Sequence, residues 1–244
     1  MHKVAATIID KLQAEISFSD DLVIEAMAKQ FLDVANFPNV LGCVDGTHIA
    51  LKRPLLDEHV YVNRKGFHSI NVQAICNADK KFCDMNLQFP GSSNDSFVFS
   101  QSGIYQRLTN GEFGDKWLLG DSGYALKNIL LVPYLHPVSA GEKAYNRAHK
   151  NTLVLVEQSF GILKARFLCL SHKLCGPLPF TPERSSKVIL ACACLHNRAR
   201  DAKLHDPEPI DEENAIDIEN LADITMDLSG QQVRERLVNY YFSS

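Results

Sequence analysis

The run of residues 40–51 constrains the fold most, because it is almost entirely apolar and yet carries a carboxylate, Asp45, near its middle. A short apolar run bounded by polar segments predicts a buried strand. An ionised carboxylate in such a strand costs several kcal/mol unless it has a partner. The sequence therefore predicts a core strand whose carboxylate meets either basic side chains or a cation.

Other apolar patterns predict an α/β layered domain. Residues 151–168 carry an apolar stripe at spacings of three and four, which is typical of an amphipathic helix. Proline and glycine at 90–91 end a strand and precede a helix. In chain order we predict helices at 2–14 and 20–35, strands at 40–51, 67–76 and 82–89, a helix at 96–108, a strand at 117–121, and helices at 151–168, 184–198 and 231–242.

Composition and charge narrow the class of protein. The chain has 244 residues with 45% hydrophobic and 22% charged residues, as in an ordinary globular protein. It has no apolar run near the roughly 20 residues needed to cross a bilayer and no signal-peptide pattern, so we expect no membrane contact and an intracellular protein. The net charge of −4 is unevenly distributed: residues 206–227 contribute −9 with no Lys or Arg, and residues 228–244 contribute +1, which leaves residues 1–205 at +4. A mildly basic body is compatible with nucleic-acid binding, and the acidic stretch is expected to be loosely held.

Two further carboxylates stand at the margin of predicted core elements. Asp121 ends the apolar strand at 117–121, and Glu157 lies at the edge of the apolar face of the 151–168 helix. Hard divalent cations such as Mg²⁺ and Mn²⁺ prefer oxygen ligands, so a shared metal site is one interpretation. The other interpretation is structural, with turns at Asp45 and Asp121 and an ion pair from Glu157 to Lys164 or Arg166.

Asp95 competes with Asp121 as the second aspartate. Asp95 precedes a predicted helix, where capping of backbone N–H groups is the simpler explanation, so we prefer Asp121. His48 points to the opposite strand face from Asp45 and is expected to be a supporting hydrogen-bonding residue.

Six segments of the chain resemble Harbinger-type DDE transposases and the nucleases derived from them. The resemblance spans roughly residues 15–200, and 75 residues separate Asp45 from Asp121 while 35 separate Asp121 from Glu157. The segments are NVLGCVDGTHI (39–49), YVNRKGFHS (61–69), FPGSSNDS (89–96), WLLGDSGY (117–124), VEQSFGILKARF (156–167) and ILACACLHN (189–197).

The resemblance implies a ribonuclease-H-like core with a mixed sheet flanked by helices. It also implies a catalytic metal triad at Asp45, Asp121 and Glu157 that uses Mg²⁺ or Mn²⁺ to hydrolyse phosphodiester bonds in DNA. It further implies a Myb-like DNA-binding partner protein and localisation in nucleus and cytoplasm. Candidate phosphate contacts are Arg64, Lys65, Arg147, Lys150 and Lys164, the last because it lies seven residues after Glu157 on nearly the same helix face.

These expectations divide the chain into a helical lead-in (1–38), a DDE endonuclease domain (39–200) and an acidic tail with a short C-terminal helix (201–244). Members of this family usually carry a helix-turn-helix-like region ahead of the core, and fewer than 40 residues before the Asp45 strand are too few for it. We therefore expect either a truncated sequence or a form without its own DNA reader. The alternative function is a catalytically silent, domesticated scaffold that binds DNA or protein.

Overall fold

A mixed five-stranded sheet forms the centre of the protein. The computed structural model describes residues 2–18, 21–208 and 227–243. The strands are β1 (Val40–Ala50), β2 (Ser69–Cys76), β3 (Phe82–Pro90), β4 (Trp117–Leu119) and β5 (Leu130–Leu131). Their order is β3-β2-β1-β4-β5, with β1–β2 and β2–β3 antiparallel and β1–β4 and β4–β5 parallel. The predicted ribonuclease-H-like fold, with a mixed sheet flanked by helices, is confirmed.

Helices flank this sheet. They are α1 (His2–Leu12), α2 (Asp21–Ala35), α3 (Asp95–Ser100), α4 (Gly103–Thr109), α5 (Ala140–Arg166), α6 (His172–Cys175), α7 (Pro182–Asp201) and α8 (Leu228–Leu237). A π-helical turn, Val238–Phe242, extends α8. No helix in the described part of the chain combines the length and apolar character needed to cross a bilayer.

The longest helix, α5, packs its apolar stripe against the sheet. Val156, Phe160 and Leu163 are buried, and α5 contacts β1, β2 and β4. The helix begins at Ala140 rather than at the predicted residue 151, because Ser139 and Glu142 form a capping box that satisfies backbone N–H groups at its start. α5 therefore extends eleven residues further toward its N-terminus than the apolar stripe indicates.

Two other predicted helices differ from the observed ones, and one observed strand was not predicted. The helix predicted at 96–108 is two helices, because Ser102 interrupts it and accepts a hydrogen bond from Tyr105 N as the cap of α4. The sequence prediction missed strand β5, which has two residues. The C-terminal helix begins three residues before the predicted residue 231.

Helix α7 covers the outer edge of β3. The side-chain amide of Asn197 accepts a hydrogen bond from Phe82 N at 2.9 Å and donates one to Phe82 O at 2.8 Å. Further along, Ser186 Oγ donates to Leu87 O at 2.9 Å. Because an uncovered edge strand invites pairing with another chain, these contacts close the sheet on that side.

The segments outside the core pack onto it. α1 contacts α7, and α2 contacts both β1 and α5. Asp206 forms an ion pair with Arg200 at 2.6 Å, so the first residue of the acidic stretch is held to α7. Residues 209–226, on which most of the prediction of a loosely held tail falls, lie outside the described residues. The division of the chain at 38 and 200 stays a prediction.

Candidate active site

Asp45 lies in the middle of β1 and is partly buried. The N–H of Gly46 donates a hydrogen bond to Asp45 Oδ1 over 2.8 Å. Burial raises the pKa of Asp45 well above its usual value. The negative charges of Asp121, Asp95 and Glu157 act in the same direction. Because charges perturb each other strongly only at short range, four carboxylates share this part of the molecule.

Asp121 follows β4, the parallel neighbour of β1 in the sheet. The N–H of Gly123 donates to Asp121 Oδ1 at 3.0 Å, so the turn expected from the sequence is present. Burial raises the pKa of Asp121, and the charges of Asp95 and Glu157 also raise it. The turn and the carboxylate cluster therefore coexist, and the two interpretations of Asp121 do not exclude each other.

Glu157 lies on α5 with an exposed side chain. Its charge raises the pKa of both Asp45 and Asp121, so the carboxylate lies within electrostatic range of the two aspartates. Arg166, which the sequence offered as an alternative ion-pair partner, contacts Asp206 at 3.4 Å. Glu157 thus forms the solvent-exposed rim of the cluster.

Asp95 belongs to the same cluster, which the capping interpretation did not anticipate. The cap of α3 is Asn94, whose Oδ1 accepts from Phe97 N at 2.7 Å, so the capping role assigned to Asp95 was wrong. Asp95 Oδ1 instead accepts a hydrogen bond from Asn71 Nδ2 at 2.8 Å. A Cβ at position 46 would overlap the Asp95 carboxylate, so Gly46 leaves the space that this side chain occupies.

Two buried amides of β2 hold the start of α3. Asn71 Nδ2 also donates to Ser93 O at 2.9 Å, and Gln73 Nε2 donates to Asp95 O at 2.9 Å. Gln73 Nε2 lies 3.1 Å from the hydroxyl of Tyr124, to which it donates. Tyr124 is fully buried, and burial and then the charges of the three aspartates raise the pKa of its hydroxyl well above the usual value. A buried polar layer therefore stands beneath the carboxylates.

His48 supports the neighbouring loop. Its Nδ1 lies 3.0 Å from Ser69 Oγ, which also accepts a hydrogen bond from Asn63 Nδ2 at 3.0 Å. Asn63 Oδ1 in turn accepts from the backbone N–H groups of Lys65 and Phe67. The β1–β2 register is regular at Gly46, so His48 and Asp45 point to opposite faces. The prediction that His48 is a supporting hydrogen-bonding residue is confirmed.

The predicted phosphate contacts divide into two groups. Arg64, Lys65, Arg147 and Lys150 are exposed, and the charge of Arg64 lowers the pKa of Asp121, so Arg64 lies beside the cluster. Lys164, by contrast, is only 5% exposed. Lys164 packs among the buried residues of α5 and is not accessible to a phosphate. The prediction that Lys164 contacts phosphate was therefore wrong.

The donor set fits a hard divalent cation by its chemistry. Four carboxylates supply oxygen ligands, and the raised pKa values of Asp45 and Asp121 reflect burial and repulsion that a cation would offset. Asn71 Oδ1, a buried acceptor beside Asp95, has no hydrogen-bond partner among the described residues. Within the described ranges, however, no three His, Cys, Asp or Glu side chains lie close enough together to hold a metal ion.

Comparison with known proteins shows the family to which the chain belongs. The sequence profile of a family described as DDE superfamily endonuclease matches residues 44–197, a segment that contains all four carboxylates. No solved structure gives a significant match.

Several curated proteins match most of the chain. The mouse (Mus musculus) protein named "Putative nuclease HARBI1" is 33% identical over 246 residues, which cover 98% of this chain and 70% of the relative. The Xenopus laevis protein of the same name is 29% identical, with the same coverage of both chains. The Arabidopsis thaliana "Protein ALP1-like" is 27% identical over 71% of this chain and 46% of that relative. The chain therefore belongs to the DDE superfamily endonucleases, within the group of Harbinger transposase-derived nucleases.

Proposed function

We propose that this protein is a divalent-metal-dependent endonuclease that hydrolyses phosphodiester bonds in DNA. The observation that carries the proposal is the cluster itself: the charges of Asp121 and Glu157 raise the pKa of Asp45, and that of Glu157 raises the pKa of Asp121, although the three residues are far apart in sequence. A fold that gathers negative charge without neutralising it destabilises itself, unless a cation completes the site.

Asp45, Asp121 and Glu157 would hold the metal in this proposal. Asp95 would join them, since Asn71 and Gly46 fix its carboxylate in the same cluster. When bound, Mg²⁺ or Mn²⁺ activates a water molecule and stabilises the leaving oxygen of the phosphodiester.

The side chains and backbone of the protein would orient the carboxylates and bind the substrate. The hydrogen bonds from Gly46 N and Gly123 N each occupy one oxygen of Asp45 and Asp121, which orients the second oxygen. Arg64 and Lys65, on the loop held by Asn63, would bind the phosphate backbone beside the cluster. The buried amide of Gln73, which donates to Asp95 O and to the hydroxyl of Tyr124, would hold the backbone of Asp95 in place.

The test is a cleavage assay on supercoiled plasmid DNA with Mg²⁺, Mn²⁺ or excess EDTA. We expect nicking or linearisation by the purified chain with either cation, and none in EDTA. Asp45→Asn, Asp121→Asn and Glu157→Gln should each reduce the rate by about 10³-fold, because several kcal/mol of transition-state stabilisation depend on the metal site. Asp10→Asn and Glu235→Gln, at exposed helix positions, are matched controls and should cleave like wild type.

Asp95→Asn completes the series. If Asp95 is a fourth ligand, this variant loses activity and Mn²⁺ affinity in titration calorimetry. Full activity of Asp121→Asn would exclude the assigned triad and make Asp95 the second aspartate.

A silent scaffold is the second candidate, and the spacing of the side chains favours it, since the described carboxylates are not gathered at metal-binding distances. A wild-type protein that binds plasmid DNA but binds no Mn²⁺ and cuts nothing would establish this alternative. The expected Myb-like partner and the nuclear and cytoplasmic localisation are further proposals. Co-purification from cell extract with and without nuclease treatment, together with imaging of the tagged chain, tests both.

A further inference from the structure

One face of α5 carries a row of three cations. Lys143, Arg147 and Lys150 are all exposed, and their spacings of four and three residues place them on one side of the helix. The opposite side is buried and includes Tyr145, Thr152 and Val156. We call Lys143, Arg147 and Lys150 the α5 basic row.

The row forms no ion pair within the described ranges, although the charge of Lys143 helps to lower the pKa of the adjacent Glu142. None of its three side chains forms a hydrogen bond or ion pair with any residue in the ranges that the structure describes. Exposed helix cations usually gain little from ion pairs, so their pairing state alone indicates nothing. Their position is informative, because the row runs along the helix toward Glu157 at the rim of the carboxylate cluster.

Glu157 follows Lys150 by seven residues, or two helical turns, on nearly the same face. At a rise of about 1.5 Å per residue, Lys150 and Lys143 lie about 10 Å and 21 Å from Glu157 along the helix axis. The charge of Arg64 also lowers the pKa of Asp121, so a further cation lies near the cluster. Positive charge therefore lies near the carboxylates, and the part of it on α5 is a straight row of defined length.

We infer that the α5 basic row binds the phosphate backbone of duplex DNA on one side of the cleavage point. This inference rests on the proposed nuclease function and assigns the path of its substrate. With about 3.4 Å of rise per base pair, the row reaches the backbone about 3–6 base pairs from the scissile phosphate. Lysine and arginine on an exposed helix face bind the phosphates without reading the sequence, so the row sets the direction of the duplex and not its target.

The first experiment measures DNA binding without cleavage. The variant K143Q/R147Q/K150Q keeps the helix and removes the three charges, and K3Q/K11Q/K187Q removes three exposed charges from α1 and α7, on the β3 side of the sheet. Binding of a 40-base-pair duplex is followed by fluorescence anisotropy in EDTA from 50 to 200 mM salt. Loss of three phosphate contacts should lower the salt slope by about 2.7, so wild type should lose about 40-fold more affinity over this range than the row variant.

The second experiment maps cleavage positions along end-labelled 40-base-pair duplexes in Mn²⁺. Wild type should cut poorly within about 6 base pairs of one end of each strand, always of the same polarity, because there the row has no backbone to bind. In the row variant this excluded zone should disappear, and KM should rise at least tenfold while kcat changes little. The α1/α7 control variant should keep both the zone and the KM of wild type.

The two experiments separate the inference from the function on which it rests. A wild-type protein that binds DNA with a row-dependent salt slope but never cleaves it would overturn the nuclease proposal and retain the row as a DNA-binding surface. An unchanged slope in the row variant, or an equal decrease in the α1/α7 control variant, would overturn the inference whatever the cleavage result. A row-dependent slope with duplex RNA but not with duplex DNA would overturn the assigned ligand.

Discussion

Two regions of this protein bury polar groups in opposite ways. At the β3 edge, Asn197 pairs with both backbone groups of Phe82, and His196 Nε2 bonds to Lys80 O at 2.8 Å. In the carboxylate cluster, Asp45 and Asp121 instead lie together with raised pKa values. The first region pairs its backbone groups with neutral side chains, with only His196 Nδ1 left without a partner among the described residues, whereas the second accumulates negative charge.

This difference separates the residues that stabilise the fold from those that serve its function. Satisfied buried hydrogen bonds contribute stability, since removing one partner leaves the other desolvated and unpaired. Buried like charges lower stability, and they are found where a bound ligand offsets their repulsion. Variants in the β3-edge region should therefore lose stability, and charge-removing variants in the cluster should gain it while losing activity.

The largest effect on stability is expected from Asn197→Leu. This change leaves the N–H and C=O of Phe82 without their partner, and each unpaired buried group costs about 1–3 kcal/mol. We expect the free energy of unfolding in urea to fall by about 2–4 kcal/mol. The exposed Asn151→Leu is the matched control and should change it by less than about 0.5 kcal/mol. If both variants unfold like wild type, the β3-edge contacts contribute no stability and the comparison fails.

Gly46→Ala should produce the opposite combination. The new methyl group overlaps the Asp95 carboxylate, which is short and tied to Asn71, so Asp95 must leave its place in the cluster. Cleavage should fall about 10- to 100-fold while stability changes by about 1 kcal/mol or less. Gly103→Ala, where a Cβ meets nothing within 4 Å, should keep full activity. Wild-type activity in Gly46→Ala would remove Asp95 from the site.

The strands and the long helices were predictable because burial imposes a period on the sequence. The segments 40–51, 67–76 and 82–89 carry enough apolar residues to predict β1, β2 and β3, and the stripe at 151–168 predicts the second half of α5. Strand β5 has two residues, too few to show any period. The first half of α5 lacks an apolar stripe, so its periodicity does not predict a helix. The capping box of Ser139 and Glu142 is a separate signal in the sequence that marks where this helix begins.

The cluster was predictable only in part. The segments around Asp45, Asp121 and Glu157 resemble the family, and the structure brings these three residues to one region. The place of Asp95 depends on an amide 24 residues away, Asn71, and on the space above Gly46, which are long-range contacts. Lys164 shares a helix face with Glu157 in projection, yet packing at the end of α5 buries it.

A smaller effect is expected when charge is removed from the cluster of the metal-free protein. Asp45→Asn keeps the volume of the side chain and ends its repulsion with Asp121, Asp95 and Glu157. We expect the free energy of unfolding in EDTA at pH 8 to rise by about 1 kcal/mol. Saturating Mn²⁺ should stabilise wild type more than this variant, which thermal unfolding with and without metal measures. A less stable Asp45→Asn protein would mean that Asp45 makes a favourable contact in the metal-free state.

The smallest effect, and the one that separates the two regions most directly, is the sign of their pH dependence. Burial raises the folded-state pKa of Asp45 above its unfolded value, so the folded state binds more protons than the unfolded chain above pH 4, and stability is lost as the pH rises. Burial lowers the pKa of His196 to about 4, with Arg200 and Arg166 acting in the same direction and the bond to Lys80 O opposing them. Stability from a neutral buried histidine is present above its unfolded pKa of about 6.5 and is lost as the pH falls toward 4.

Urea unfolding of the metal-free protein at pH 5, 6, 7 and 8 tests this opposition. The stability gained by Asp45→Asn relative to wild type should grow from pH 5 to pH 8. His196→Gln, which keeps an amide donor for Lys80 O, should lose stability at pH 8 and recover part of that loss at pH 5, because the wild-type histidine must then either ionise in a buried site or unfold. Each group changes the slope by at most about 1.4 kcal/mol per pH unit. If the change in the free energy of unfolding followed the same pH dependence in both variants, the two regions would not differ in how they bury charge. The physical basis for assigning a cation to the carboxylate cluster would then be lost.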